Sequence, residues 1–329
     1  MIKVSVLVPV YGVEAYIKEC AESLFAQTYP CVEFIFVDDC SPDRSVEILR
    51  RCVDAHPLVA SRVRIVRHEA NRGLGAARQT GLDAATGDAV CFVDSDDLMP
   101  SDAIEALVEK MEETGACIVS GASEHIFDDR TVVSPPRHWS NELLIKHILW
   151  HKAAGHIWAK LYRRELFTSY GIKFKEGVDY GEDYATTPRL LLVGRRVWTD
   201  RVVYSYRAIR PESYCASISL KSLRSLTKAN KVLEKFFQER DTKGVYAKYR
   251  NLGMLDALTY GYKFKLPREQ MAEIDALLDY HPINLMAALI YRLYQKDYQS
   301  KWATKLYNLY RRSVLRKDKI KYALAQWLQ

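Results

Sequence analysis

The feature that most constrains this chain is a regular exchange of short apolar runs with helix-period segments over residues 1–120. Val4-Ser5-Val6-Leu7-Val8 reads as a buried strand. Ile17, Cys20, Ala21, Leu24 and Phe25 recur at i, i+3, i+4, i+7 and i+8, which predicts a helix over 14–27 with one apolar face. Val32 to Val37 is a second strand, and Val46, Leu49, Cys52 and Val53 mark a second helix. Val63 to Val66 is a third strand, followed by a helix over 74–85 closed by Gly87. Ala89 to Val93 is a fourth strand. Asp102 and Glu105 form a capping-box pattern ahead of Ile104, Leu107, Val108 and Met111. Cys117-Ile118-Val119 is a fifth strand. Alternation at this spacing predicts right-handed βαβ units, and so an α/β fold with a mostly parallel sheet and helices on both faces.

After Gly121 the regularity fails. Residues 122–138 read as an excursion loop, 140–151 as a helix, and 176–192 as a Gly-Glu-Asp turn leading into a helix. Val197 to Tyr206 reads as one or two late strands. From about 217 only helical patterns remain, marked by Leu223, Leu226, Leu233, Phe236 and Phe237, then Val245, Tyr249, Leu252, Leu255 and Leu258. A boundary near 210–216 is expected, with a ligand-binding domain over 1–215 and a C-terminal helical region over 216–329. With 48% hydrophobic and 27% charged residues in a chain of 329, a large core can be buried, and disordered and collagenous classes are excluded. No run of 18 apolar residues occurs, and the first residues show no signal-peptide pattern. The seven cysteines are odd in number and contain no C-x-x-C, which points to reduced thiols in a cytoplasmic protein.

In open α/β sheets, ligands bind outside the carboxyl ends of the strands. Three such ends are polar here: Pro9-Val10-Tyr11-Gly12, Asp38-Asp39-Cys40-Ser41-Pro42-Asp43, and Asp94-Ser95-Asp96-Asp97. Carboxylates gathered on one edge repel unless something cationic or strongly hydrogen-bonding sits among them. Asp94-Ser95-Asp96 suits a divalent ion that shares substrate phosphates, or a solvated capping turn. Asn71-Arg72-Gly73-Leu74-Gly75-Ala76-Ala77-Arg78 lacks the third glycine of a dinucleotide fingerprint, and no phosphate-binding P-loop exists. Its glycines either let Arg78 face an anionic group or let a helix pack closely. Gly181-Glu182-Asp183 offers a general base, or acids that merely favour a helix dipole. His147 and His151 are i, i+4 but lack the H-E-x-x-H context of a zinc site.

Taken together and in order, these segments resemble the inverting family 2 glycosyltransferases of the GT-A nucleotide-sugar fold. The resemblance covers about residues 3–210 and rests on V-S-V-L-V-P-V-Y, Glu14 to Tyr29, Val37 to Asp43, Asn71 to Arg78, Gly87 to Asp97, and Gly181 to Asp183. It implies transfer of a sugar from a nucleotide-sugar donor to a glycan or lipid-linked acceptor, in cell-surface polysaccharide synthesis. Pro9, Tyr11 and Glu14 would line the base pocket, and Asp39 would accept from the base while Asp38 supports its turn. Arg78, Asp94 and Ser95 would belong to the donor site, and Asp96 would hold Mn²⁺ or Mg²⁺. Asp183 would be the catalytic base, and Trp158, Lys160 and Glu182 would lie on the acceptor side. Gly12 stands where the family commonly has Asn, and Gln79-Thr80 where Asn usually follows the arginine. These departures bear on the shape of the donor pocket. A non-catalytic nucleotide-sugar-binding or scaffold subunit would keep the fold and lose a D-x-D acid or the base, and both are present.

The charge is uneven. Residues 288–329 hold ten Lys/Arg and two Asp/Glu, a net +8, against −1 for residues 1–287. On a helical wheel Lys301, Lys305, Arg312 and Arg316 share an arc of about 60°, bordered by Tyr298, Trp302, Leu306 and Leu309. This pattern suits an anionic membrane surface, or a packed helix with a solvated flank. It implies a cytoplasmic protein held peripherally at the inner face of the membrane. Nothing in residues 1–287 points to nucleic acid.

Overall fold

A computed structural model describes residues 1–208 and 219–327, without the side chains of 261, 262 and 315–327. Cys215 and the boundary expected near 210–216 lie outside the described residues. The first elements are β1 (Val4–Val10), α1 (Ile17–Phe25), β2 (Val32–Asp38), α2 (Ser45–Ala55), α3 (Pro57–Ala60), β3 (Val63–Arg67), α4 (Leu74–Ala84), β4 (Ala89–Phe92) and α5 (Ala103–Thr114). There follow β5 (Ile118–Ile126), β6 (Thr131–Ser134), α6 (Asn141–Leu149), β7 (Lys160–Arg163), α7 (Glu165–Ser169), α8 (Glu182–Val193) and β8 (Arg196–Arg207). The rest is helical: α9 (Leu220–Arg240), α10 (Ala247–Lys263), α11 (Arg268–Leu278), α12 (Leu285–Lys296) and α13 (Lys301–Trp327).

Among the described residues the eight strands form one sheet in the order β3-β2-β1-β4-β7-β5-β6, with β8 on β5. β3, β2, β1 and β4 are parallel, as their βαβ pattern requires. The expected continuation to β5 is interrupted, because β7 inserts between β4 and β5, antiparallel to both. The sheet is therefore mixed, although β4 and β5 still run in the same direction. Residues 122–138, expected to be a loop, instead extend β5 and turn back as β6.

β1 is apolar on both sides because both sheet faces are covered. Val4, Val6, Val8 and Val10 join α1 and α5 in one core. On the other face, Gly81 of α4 lies directly over Leu7 and Val37. All five residues of the α1 stripe are buried. Asp102 stands at the N-cap of α5, but its carboxylate pairs with Arg201, and Glu105 accepts from Thr28 Oγ1 at 2.8 Å. The expected reciprocal capping box does not form.

The described chain divides into two compact units. One is Met1–Ile145 with Ala154–Ser217, and the other is Lys146–Ala153 with Ile218–Gln329. The short segment 146–153 joins the helical unit through Trp150, which is fully buried and meets the Tyr249 ring edge-on at 6.4 Å.

The β5–β8 pairing shifts register on either side of Ala122. Such an irregularity bends and re-aims a strand, and the second half of β8 crosses to the end of β4, where Ser205 and Leu98 exchange backbone hydrogen bonds of 2.9 and 3.1 Å. Gly121 sits at this shift, and a Cβ there would lie 2.3 Å from Cγ2 of the fully buried Val203. Gly121→Ala is expected to destabilise the protein by about 1–3 kcal/mol through overpacking, measured by urea unfolding. Unchanged stability would mean that β8 has room to move.

Candidate active site

The loops after β1 and β2 are joined by side-chain oxygens. Ser41 Oγ accepts from the Gly12 N–H at 2.9 Å and Ser45 Oγ from the Val13 N–H at 2.9 Å. Asp43 accepts from the Glu14 N–H at 2.9 Å, and Glu14 accepts in return from the Arg44 N–H at 3.0 Å. Gly12 takes φ +64°, a left-handed turn that leaves Tyr11 50% exposed at the rim with Pro9 half-buried behind it. Asp38 is buried and accepts from the Ser41 N–H at 2.8 Å.

Asp39 is also buried, and its carboxylate organises the next loop. It accepts the N–H groups of Arg72 and Gly73, each at 2.8 Å, and lies 2.6 Å from His68 Nδ1. The loop thus fixed leads into α4. Its glycines are required by a close neighbour. A Cβ on Gly73 would fall 2.2 Å from Asp179 Oδ1, and one on Gly75 would fall 2.7 Å from the carbonyl oxygens of Lys175 and Val178. The close packing left open by the sequence is real, but the partner is the 175–179 segment ahead of α8, not the sheet alone.

That approach brings Arg78 against the start of α8. Its guanidinium is 2% exposed and donates to Glu182 Oε1 at 2.6 Å, Asp183 Oδ1 at 2.7 Å and Asp94 Oδ1 at 2.7 Å. One cation thus gathers acids from the end of β4 and the N-terminus of α8, where the helix dipole also favours negative charge. Burial opposes the charge on Arg78, but Asp183, Asp94 and Glu182 outweigh it and hold its pKa above the usual arginine value. Burial raises the pKa of Glu182, and the neighbouring Asp183 raises it further. Burial also raises that of Asp183, against the pull of Arg78. The two carboxyls titrate as a pair, and Asp183 keeps 21% of its side chain exposed.

The end of β4 is fixed from β8. Tyr204 donates its hydroxyl hydrogen to Asp97 at 2.8 Å, and its oxygen accepts the Asp94 N–H at 3.1 Å. Asp97 also accepts the Arg207 N–H at 2.9 Å. Burial, then the nearby Asp94, pushes the Asp97 pKa up to about 7. Asp97 is thus the structural acid of this run, Ser95 is buried, and Asp94 and Asp96 remain partly accessible. Among the described residues no group of three or more His, Cys, Asp or Glu side chains is placed to hold a metal unaided. A carboxylate donor such as Asp96 fits a hard divalent ion that completes its shell with phosphate oxygens and water.

The sequence pattern described as "Glycosyl transferase family 2" matches residues 5–171. The chain belongs to this family. It is 35% identical over 213 residues to the uncharacterized glycosyltransferase EpsJ of Bacillus subtilis, covering 62% of this chain and 60% of that protein. It thus spans about three fifths of the length of such relatives. The fold is that of the solved S. aureus TarS 1–349 in complex with UDP, at TM-score 0.67 and 21% identity, over 94% of this chain and 92% of that one. The mannosyltransferase PcManGT of Pyrobaculum calidifontis, in complex with GDP-Man and Mn²⁺, superposes at TM-score 0.53 and 22% identity over 94% and 87%.

Within this family fold, Trp158 is buried in a stack of rings, with His156 at 4.0 Å, Tyr204 at 4.5 Å and Tyr206 at 5.7 Å. Lys160 is turned inward, and its ammonium donates to the carbonyl oxygens of His156 at 2.6 Å and Trp158 at 3.2 Å. Burial lowers its pKa to about 8. It therefore braces the 156–158 turn. The structure brings Arg78, Asp94, Glu182 and Asp183 into one cluster and places Pro9 at the end of β1, with Tyr11 and Glu14 on the loop after it. Sequence reasoning missed Tyr204, Arg207, His68 and Asp179. No local motif marks them, since their contacts with the Asp39, Asp97 and Gly75 positions span at least 29 residues of chain.

Removing the cation would leave three buried or half-buried carboxylates without compensation. Arg78→Met is expected to cost about 3–5 kcal/mol in urea unfolding. Arg78→Lys should recover only part, because an ammonium cannot present two ends to three acids. A loss below about 1 kcal/mol, the range of an exposed pair, would contradict the clamp.

Proposed function

We propose that this chain is an inverting glycosyltransferase that moves a sugar from a nucleotide-diphosphate donor to a hydroxyl of a glycan or lipid-linked acceptor in cell-surface polysaccharide synthesis, at the cytoplasmic side of a membrane. The observation that carries this reading is the Arg78 cluster, which joins the D-x-D end of β4 to the acid at the head of α8. The residues 1–215 would hold donor and chemistry, with 216–329 as a helical accessory. UDP in TarS 1–349 and GDP-Man in PcManGT make these the first nucleotides to screen.

In this mechanism Tyr11, on its exposed turn, packs against the base, with Pro9 and Glu14 lining the same pocket. Asp39 shapes that pocket through the loop it pins, and its remaining lone pairs face the base. Asp94 and Ser95 contact the ribose. Asp96 would hold Mn²⁺ or Mg²⁺, which, when bound, offsets the charge on the departing diphosphate. Asp183 accepts the proton of the acceptor hydroxyl as that oxygen attacks the anomeric carbon from the face opposite the leaving group. The bond to the diphosphate breaks in the same displacement, so configuration inverts. Arg78 holds Asp183 in place and tempers its raised pKa. Glu182 tunes the pair, and Trp158 with the Lys160-braced turn forms the wall on the acceptor side.

Asp183→Asn keeps the shape and removes the proton acceptor. Donor binding should persist by calorimetry while transfer falls roughly 10²–10⁴-fold; a variant that lost affinity but kept its rate would make Asp183 a binding residue. Asp96→Ala should lower turnover on the order of 10²–10³-fold and abolish its response to Mn²⁺. Undiminished wild-type activity in excess chelator would overturn the metal assignment. The base must be ionised to act and its pKa is raised, so kcat/KM should climb with pH along a limb centred above the ordinary aspartate value of about 4. A limb at or below that value would contradict the buried pair.

A further inference from the structure

We infer that the outward faces of α12 and α13 form a docking surface for an anionic lipid bilayer. The inference rests on the helical unit alone and stands apart from the catalytic reading. Seven of the thirteen exposed large hydrophobic side chains among the described residues lie between Leu277 and Leu309. Single exposed leucines are ordinary, but such a concentration is not.

The arrangement within each helix is ordered. On α12, Ala287, Ile290 and Tyr294 are buried, whereas Leu285, Leu289, Arg292 and Lys296 are exposed. The exposed four fall within about 60° of one another, opposite the buried three. On α13, Ala303, Tyr307 and Val314 are buried, and Trp302, Lys305, Leu309 and Arg312 are exposed within about 80° on the other side. This corrects the pattern expected from sequence. Tyr298 precedes α13 and is buried, donating to Asp275 at 2.8 Å, and Leu306 is half-buried. The side chain of Arg316 lies outside those described.

The two helices run antiparallel. Asn284 meets Tyr310 at 2.7 Å, and Tyr294 meets Thr304 at 3.2 Å. Both also pack on α10, so their free faces look the same way. Leu285 and Leu289 therefore lie beside Leu309, while Lys296 lies near Trp302 and Lys305. Leu285 is 90% exposed, Trp302 75% and Leu309 61%. No helix among the described residues is long and apolar enough to cross a membrane. An apolar strip with a Trp, flanked by Lys and Arg, matches the depth profile of an anionic leaflet. Apolar groups and indole enter the acyl boundary, and long cationic side chains reach the headgroups. Within residues 288–314, six Lys/Arg stand against one Asp, a net +5, which gives this surface the same sign. Each basic residue near such a leaflet raises binding roughly fivefold, and salt screens the effect.

The full chain should be sedimented with vesicles of phosphatidylcholine alone or mixed with phosphatidylglycerol, at low and high salt. Strong, salt-sensitive binding to the mixed vesicles and weak binding to the neutral ones is expected. A variant carrying R292E, K296E, K305E and R312E should lose binding by at least about 10³-fold. A second variant carrying L285Q, L289Q and L309Q should bind at least tenfold less at equal charge, and Leu285→Gln alone should weaken binding without altering the circular dichroism spectrum. Equal binding to neutral vesicles, wild-type binding by the charge-reversed variant, or no binding at low salt would overturn the inference. So would a dimer, seen by analytical ultracentrifugation, that the leucine variant splits, because a second copy would then be the occupant.

Discussion

The site depends on one buried guanidinium. Arg78 holds Asp94, Glu182 and Asp183 at 2.6–2.7 Å, and these acids come from chain segments 88 residues apart. Without a cation they would repel each other in a poorly solvated place. With it, the end of β4 and the head of α8 become one rigid element. The glycines of the Asn71–Arg78 segment serve this contact, because only residues without Cβ let α4 approach the 175–179 segment. Asp39 serves it from the other side by pinning the N–H groups of Arg72 and Gly73. A charge that is expensive to bury is thereby paired with acids through both terminal nitrogens, and Asp183 keeps an accessible edge beside it.

Much of the fold was legible from period alone. The α1 stripe and the apolar β1 follow from burial of one helix face and of both sheet faces, and these are local consequences of where water is excluded. β7 was not legible as a strand between β4 and β5. It is four residues long, and only its pairing on both edges makes it a strand. The carboxylates at the strand ends stood out as a charged edge, but the sequence left open what neutralises them. The answer differs from acid to acid: Arg78 takes Asp94, Arg67 takes Asp38 at 3.2 Å, and N–H and hydroxyl donors take Asp39 and Asp97. Tyr204 was illegible for a related reason. Its hydroxyl reaches Asp97 where β8, past the irregular β5–β8 pairing, bridges to Leu98 in the segment after β4, and no residue spacing encodes that meeting.

The helical unit teaches the complementary lesson. Charge counting marks the basic tail, because counting needs no geometry. Its apolar partner was misassigned in part, because a wheel cannot tell which arc faces the core. Tyr298 has a buried acid as partner, while Leu285 and Leu289 of the preceding helix lie exposed.

The central claim is that the carboxylate pair held by Arg78 drives a single displacement at the anomeric carbon. The most direct test is the configuration of the product, read by proton NMR of the anomeric signal as sugar is transferred from an α-linked nucleotide sugar. The account predicts a β-configured product from the first turnover. An α-configured product would mean net retention, which a single displacement from the opposite face cannot give, and would contradict the role given to Asp183.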